Sequence, residues 1–266
     1  MGIVQGLTEF LPVSSSGHLI VVPFLFGWDD PFVNSLPFSV MLHLGTLIAL
    51  LAYFREDWAR LVPAGLAAAR DRSFRGDGDR RLAWLLVAST IPAALMGLLF
   101  NDIIENQFRQ VGLVALMLVV GGVILFVADR VGRRSRAIAD VTFPVAIGIG
   151  AAQALALIPG ISRSGISISA GRLAGLDREA AARFAFLMAT PITAGAVLFE
   201  GRKLLTGEAG VDVAIAPLIV GMTAALLSGL AAIHFMLRYL RTRSLDVFVW
   251  YRFGLAALVL VIWLAR

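Results

Sequence analysis

In a chain of 266 residues that is 59% apolar, a few polar side chains stand grouped as a reaction would need them. Ser14, Ser15, Ser16, Gly17 and His18 form one run, with Gln5 and Glu9 shortly before it, and Ser162, Arg163, Ser164 and Gly165 form a second. Hydroxyls and close backbone N–H groups at a helix start are the ingredients of an anion cradle. A guanidinium such as that of Arg163 adds bidentate recognition of phosphate oxygens. His18 can act as a general base, general acid or nucleophile near neutral pH, and shares a side with Ser15 if the segment is helical. Gln5 and Glu9, four apart on one helical face, could hold a divalent cation (Mg2+ or Ca2+) through oxygen ligands or could orient His18. One carboxylate makes a thin metal site, because such ions ordinarily add substrate oxygens and waters.

The two runs are copies. Without a gap, Gln5 aligns with Gln153, Leu7 with Leu155, Ser14 with Ser162, Ser16 with Ser164 and Gly17 with Gly165. They are also unequal, since Ser15 meets Arg163 and His18 meets Ile166. The first copy carries the reacting groups and the second the anion clamp.

Such clusters must be positioned in lipid. With 15% charged residues and a mean hydropathy of +0.85, the chain has more apolar surface than a soluble domain of this length buries. Apolar runs near the ~20 residues that span a bilayer recur at about 38–54, 83–100, 111–128, 184–199, 216–237 and 247–264. The N-terminus lacks a basic region and a small-residue cleavage site, so no cleavable signal is expected. The absence of cysteine excludes disulfides, thiolate metal sites and a cysteine nucleophile. A net charge of +5 could suggest nucleic acid in a soluble protein; here arginine-rich loops explain it, and no nucleic-acid partner is expected.

Those loops set a topology. Arg55–Arg81 carries seven arginines, Asp129–Asp140 four and Arg238–Arg243 three, which places them in the cytoplasm, with Arg172, Arg178 and Arg183 adding to that side. The loops at Gly27–Pro37, Asn101–Gln110 and Glu200–Pro217 are poor in arginine and face outward. The motif runs break the alternation unless each enters the membrane and returns. The fold expected is an all-α integral membrane protein with an inverted-topology repeat, each half a re-entrant helical hairpin plus three transmembrane helices: about six full spans and two hairpins. It forms a single membrane domain, with pseudo-repeats at about 1–137 and 138–266, and such repeats put their site near the midplane where they meet. Pro12 and Pro159 break the hairpin helices; the alternative is a mere kink in a continuous span.

Other segments carry less chemistry. The first hairpin has only Met1–Val4 ahead of its motif, whereas Phe143–Ala152 precedes the second. Arg70–Arg81, with Ser73, Gly76 and Gly78, reads as a flexible loop, and Phe54–Ala69 as an interfacial helix. Gly171 and Gly175 have the spacing of close helix packing. An arginine near the bilayer centre costs at least about 2.5 kcal/mol and needs a partner or a wet cavity. For Arg163 that is a bound anion or a structural pair with Glu9. His43, early in a span, could line the cavity, and His234 lies near a cytoplasmic end; both read as structural.

The runs from Gln5 to His18 and from Pro159 to Gly165 resemble the bacterial undecaprenyl-diphosphate phosphatase family, also called the bacitracin-resistance protein family, and the likeness extends over essentially the whole chain. It implies an enzyme of the plasma (inner) membrane that hydrolyses a polyprenyl diphosphate lipid, undecaprenyl diphosphate, to the monophosphate at the outer or periplasmic face. This recycles the carrier for peptidoglycan and other envelope polymers and confers bacitracin resistance. It implies that Gln5 and Glu9 match the family's glutamate-rich motif, with Gln5 weakening a two-carboxylate metal site. His18 falls on its essential histidine, Arg163 on its phosphate-binding arginine, and Ser14, Ser15, Ser162 and Ser164 on its motif serines. Ser167 stands where relatives often have threonine, and relatives usually begin about ten residues earlier. The nucleophile, Ser15, His18 or a water activated by His18, stays open. The rival class is a polyprenyl-phosphate flippase or other transporter of the same architecture; a structural scaffold gives no reason to keep Glu9, His18 and Arg163 in lipid.

Overall fold

A computed structural model describes residues 1–72, 78–100, 107–132, 135–206 and 214–265. Ser73 and Gly76, most of the Asn101–Gln110 loop, Arg133 and Arg134, and residues 207–213 lie outside them.

The described residues form eleven α-helices: α1 (Gly2–Phe10), α2 (Ser15–Phe26), α3 (Leu36–Tyr53), α4 (Arg55–Arg70), α5 (Gly78–Leu99), α6 (Val111–Val131), α7 (Phe143–Ala154), α8 (Arg163–Leu173), α9 (Arg178–Thr206), α10 (Ile215–Leu240) and α11 (Asp246–Ala265). Helices α5, α6, α9, α10 and α11 are long and apolar enough to cross a membrane, and α3 with α4 makes a sixth if that pair, bent by 85°, is one span. The expected runs coincide with α3, α5, α6, α9, α10 and α11, so the protein is a multi-pass α-helical membrane protein. Leu99, Leu198, Val220 and Leu264 are exposed on its rim, the surface lipid covers.

Both motif segments are broken helices, not kinks. Helix α1 stops at Phe10, Pro12 lies in the turn, and α2 starts at Ser15; α7 stops at Ala154, a 3₁₀ turn covers Leu155–Leu157, and α8 starts after Pro159 at Arg163. The restart is built the same way twice. Ser14 (φ 75°) and Ser162 (φ 79°) are the N-caps, and each hydroxyl accepts the amide of the glycine three residues on, Gly17 or Gly165. A left-handed backbone is unfavourable for serine, so the surroundings must hold it.

Packing brings the copies together by crossing the halves. Helix α1 lies on α10 and α7 lies on α5, while α3 packs on α9 and α6 on α11. The first contact is backbone to backbone: a Cβ on Gly6 would strike Ser228 Oγ and the Ala225 carbonyl, and one on Gly2 the Gly221 carbonyl. Gly150 of α7 meets the Ser89 carbonyl of α5 in the same way. Small residues on one helical stripe let membrane helices approach this closely. Of the Gly171/Gly175 pair, Gly171 packs against Ala181, whereas Gly175 (φ 94°) ends α8, a conformation that favours glycine.

Arg252, wholly buried in α11, joins the two turns. Its guanidinium donates to the Pro12 carbonyl at 3.2 Å, to Ile161 at 3.1 Å and to Gly160 at 2.6 Å, and its Nε to Leu118 at 3.0 Å. Ser14 Oγ accepts the Gly160 amide at 3.1 Å, and Ser164 Oγ donates to the Leu11 carbonyl at 3.1 Å. At the end where the arginine loops lie, buried Asp129 takes a bidentate bond from Arg178 (2.7 and 2.8 Å) and the Leu245 amide. Arg172, expected as loop charge, is instead fully buried beside Asp129 and donates to the Leu176 and Gly132 carbonyls. Helix α4 continues through Arg70 and α5 begins at Gly78, so the expected loop is shorter than its composition suggested.

Replacing Arg252 by Met leaves three turn carbonyls without their donor. At roughly 1–3 kcal/mol for each buried group left unbonded, the expected outcome is a loss of at least about 3 kcal/mol, read as a lower melting temperature in detergent. An unchanged melting temperature would show that the turns do not depend on this residue.

Candidate active site

The site grows from the two broken helices. The end of α1 carries Glu9, almost fully buried, and the start of α2 carries Ser15, whose hydroxyl donates to Glu9 Oε2 at 2.6 Å. The start of α8 carries Arg163, whose guanidinium pairs with Glu9 Oε1 and donates to Thr193 Oγ1 of α9 at 2.8 Å. The Gln5 amide donates to Glu9 Oε2 at 2.9 Å. The carboxylate is thus held by a hydroxyl, an amide and a guanidinium. The Arg163–Glu9 pair between the motifs is present, and Arg163 also lines a cavity.

That cavity, of about 200 Å³, is lined by Ser15, Ser16, His43, Gln153, Arg163 and Thr193 with apolar walls from Leu157, Pro159 and Ile192. A second hollow, lined by Trp28, Asp29 and Asn34 among others, shares Arg109 with it. A hydroxyl on a carboxylate, facing the same small cavity as a guanidinium, is the arrangement of a nucleophile with its base beside an anion clamp.

The structure gives two histidines partners that spacing along the chain does not name. His43 reads as structural in sequence, yet its Nε2 lies 3.3 Å from Glu9 Oε2 while its Nδ1–H donates to the Ser39 carbonyl at 2.7 Å. Ser39, His43 and Thr46 form a polar stripe at helical spacing on α3, and that stripe was the available signal. His18 does not line the cavity, and Glu9 does not orient it. Its Nδ1–H donates to the Ser14 carbonyl at 2.7 Å, which leaves Nε2 as acceptor for the Tyr251 hydroxyl at 2.7 Å. Tyr251 and its neighbour Arg252 lie inside an apolar run, where an intramembrane arginine is itself a signal.

The cradle is also narrower than expected. Ser14 and Ser162 cap their own helices, and the Gly17 and Gly165 amides are taken up by those caps. Ser164 bonds Ser162 at 3.2 Å and the Leu11 carbonyl. Ser167 is buried on α8 away from the cavity lining. Of the expected phosphate-binding serines, Ser16 lines the cavity beside Ser15. At the Gln5/Glu9 pair the Gln5 N–H faces Glu9 Oε2 and Arg163 pairs with Glu9 Oε1, while Gln5 Oε1 has no partner among the described residues.

The undecaprenyl-diphosphatases of Moorella thermoacetica and Desulforudis audaxviator are 48% and 45% identical to this chain, each over 100% of it and 97% of the relative. That of Nocardioides sp. is 44% identical over 98% of this chain and 94% of its own length. The family described as bacitracin resistance protein BacA matches residues 1–258. With both motifs in one cavity and likeness along its whole length, this chain belongs to the bacitracin resistance protein BacA family.

Proposed function

We propose that the protein is a polyprenyl-diphosphate phosphatase that hydrolyses undecaprenyl diphosphate to undecaprenyl phosphate and inorganic phosphate. The observation that carries the reading is the Ser15 hydroxyl on Glu9 in a cavity that Arg163 also lines. The diphosphate competes for the Arg163 guanidinium, which frees the carboxylate to act as base. Glu9 takes the Ser15 proton, Oγ bonds to the terminal phosphorus, the bond from that phosphorus to the bridging oxygen breaks, and Glu9 passes the proton to that oxygen, so the lipid monophosphate leaves and the carboxylate is free again. Water then attacks the phosphoserine, Glu9 accepts its proton, and phosphate leaves as the proton returns to Ser15. Arg163 and the N-terminus of α2 offset charge that grows on the transferring group. His43 Nε2 faces Oε2 of Glu9, the oxygen that takes the Ser15 proton, and steadies the proton there; His18, held by Tyr251, sets the turn that presents Ser15.

The finer topology belongs to the same proposal. The crossed packing of α1 on α10 and α7 on α5, with two serine caps of one geometry, supports an inverted repeat of two re-entrant hairpins. The hollow beside the cavity is lined by the arginine-free segment at Trp28 and Asp29, which supports an opening at the outer face of the plasma membrane.

Kinetics in detergent tests the chemistry, since hydrolysis needs no compartments and transport does. Ser15→Ala is expected to lower kcat at least 10³-fold and Glu9→Gln about 10²–10⁴-fold, with Arg163→Lys impaired because it loses the bidentate geometry. Brief reaction with terminally labelled substrate followed by acid quench is expected to leave label on Ser15; label on His18, or none with full turnover, would reject the serine route. For topology, the cysteine-free chain suits single-cysteine labelling. Asp29→Cys should react with an impermeant maleimide in intact cells and Thr242→Cys only after permeabilisation; the reverse pattern would overturn the orientation.

A further inference from the structure

Gln153 lines the cavity yet has no partner there. It is 2% exposed, and neither its Nε2 nor its Oε1 finds a hydrogen-bond partner among the described residues. A buried amide left unbonded loses its water without gaining a partner, so an orphan of this kind requires an explanation. The repeat supplies part of one. Its counterpart Gln5 bonds Glu9 four residues on, but the residue four on from Gln153 is Leu157, which offers no acceptor. The second copy keeps the amide at the cavity wall and lacks the acid that accepts its N–H in the first.

What the cavity leaves unpaired, a ligand can pair. An amide brings two N–H donors, and every oxygen of a diphosphate accepts. Ser15, Arg163 and Gln153 come from α2, α8 and α7, so a group held among them is gripped from three elements. We infer that Gln153 is a substrate-binding residue whose amide donates to a phosphate oxygen of the diphosphate. The inference rests on the phosphatase reading and adds to it a contact that holds the substrate without taking part in proton transfer. A neutral donor also binds the anion without pairing with Glu9, as a further cation would.

Gln153→Met, of similar length and with no donor, separates this role from a structural one. Loss of a hydrogen bond to a charged oxygen corresponds to a rise in KM of about 10–100-fold for detergent-solubilised undecaprenyl diphosphate, with kcat changed much less. The ligand-free variant should melt no lower than the parent, because an unsatisfied amide has been removed, while stabilisation by added pyrophosphate shrinks. Gln153→Glu should raise KM further, as a carboxylate would face the phosphate. An unchanged KM in both variants, or a fall in melting temperature with pyrophosphate stabilisation intact, would overturn the assignment. Ser15→Ala measured alongside separates the two levels. If Ser15→Ala stays active, the catalytic reading fails; if it is inactive while Gln153→Met is normal, the inference about Gln153 fails alone.

Discussion

Two interrupted helices inside a membrane protein create bare carbonyls where no bulk water can bond them, and most of this architecture follows from how that is solved. Arg252 supplies the donors. Its guanidinium reaches the Pro12, Gly160 and Ile161 carbonyls at once, so one side chain from the last helix satisfies both turns and fixes their separation. Among the described residues it has no carboxylate partner; the carbonyl dipoles take that role. Irregular backbone inside a membrane protein is tolerated only where protein or a wet cavity satisfies it. Here the protein's own arginine does so, and the cavity is left for a ligand.

The two motif copies share a backbone and differ in chemistry. Both need a serine in the left-handed region to restart a helix, and both use its hydroxyl on the glycine amide three residues later. That common requirement explains why Ser14, Gly17, Ser162 and Gly165 recur, and it accounts for these residues without ligand contact. Among the positions that differ, Ser15 and Arg163 both line the cavity. Ser15 against Arg163 puts a hydroxyl and a guanidinium on opposite copies, and Glu9 against Leu157 gives one copy a base and leaves Gln153 of the other unbonded. The two copies share a backbone frame, and the proposed chemistry uses positions where they differ.

Charge plays two roles that a count of arginines merges. Arg55, Arg60 and Arg70 are exposed and suit loop orientation. Arg172 and Arg178 close on Asp129, and Arg183 on Asp57 at 2.6 Å, tying α4, α6, α8 and α9 together at that end. Buried ion pairs stabilise little relative to apolar packing, but removing one partner is costly. They act as fasteners for helices whose apolar faces alone would not choose a register.

Composition and run length determined that the protein is an α-helical membrane protein, because lipid demands long apolar helices and that demand is written locally. The sequence repeat, the breaks at Pro12 and Pro159, and the candidate set Glu9, Ser15, His18 and Arg163 are legible for the same reason: polar residues in lipid are conspicuous. The partner choices were not. Whether Glu9 meets His18 or His43, whether Arg252 serves a ligand or the turns, and whether Gly17 offers its amide outward or to Ser14 depend on contacts between segments far apart in sequence. Spacing along a helix fixes which residues share a face; it says nothing of what that face meets. That decision came from the close approach of α1 to α10 and α7 to α5, which glycines permit and tertiary packing alone completes.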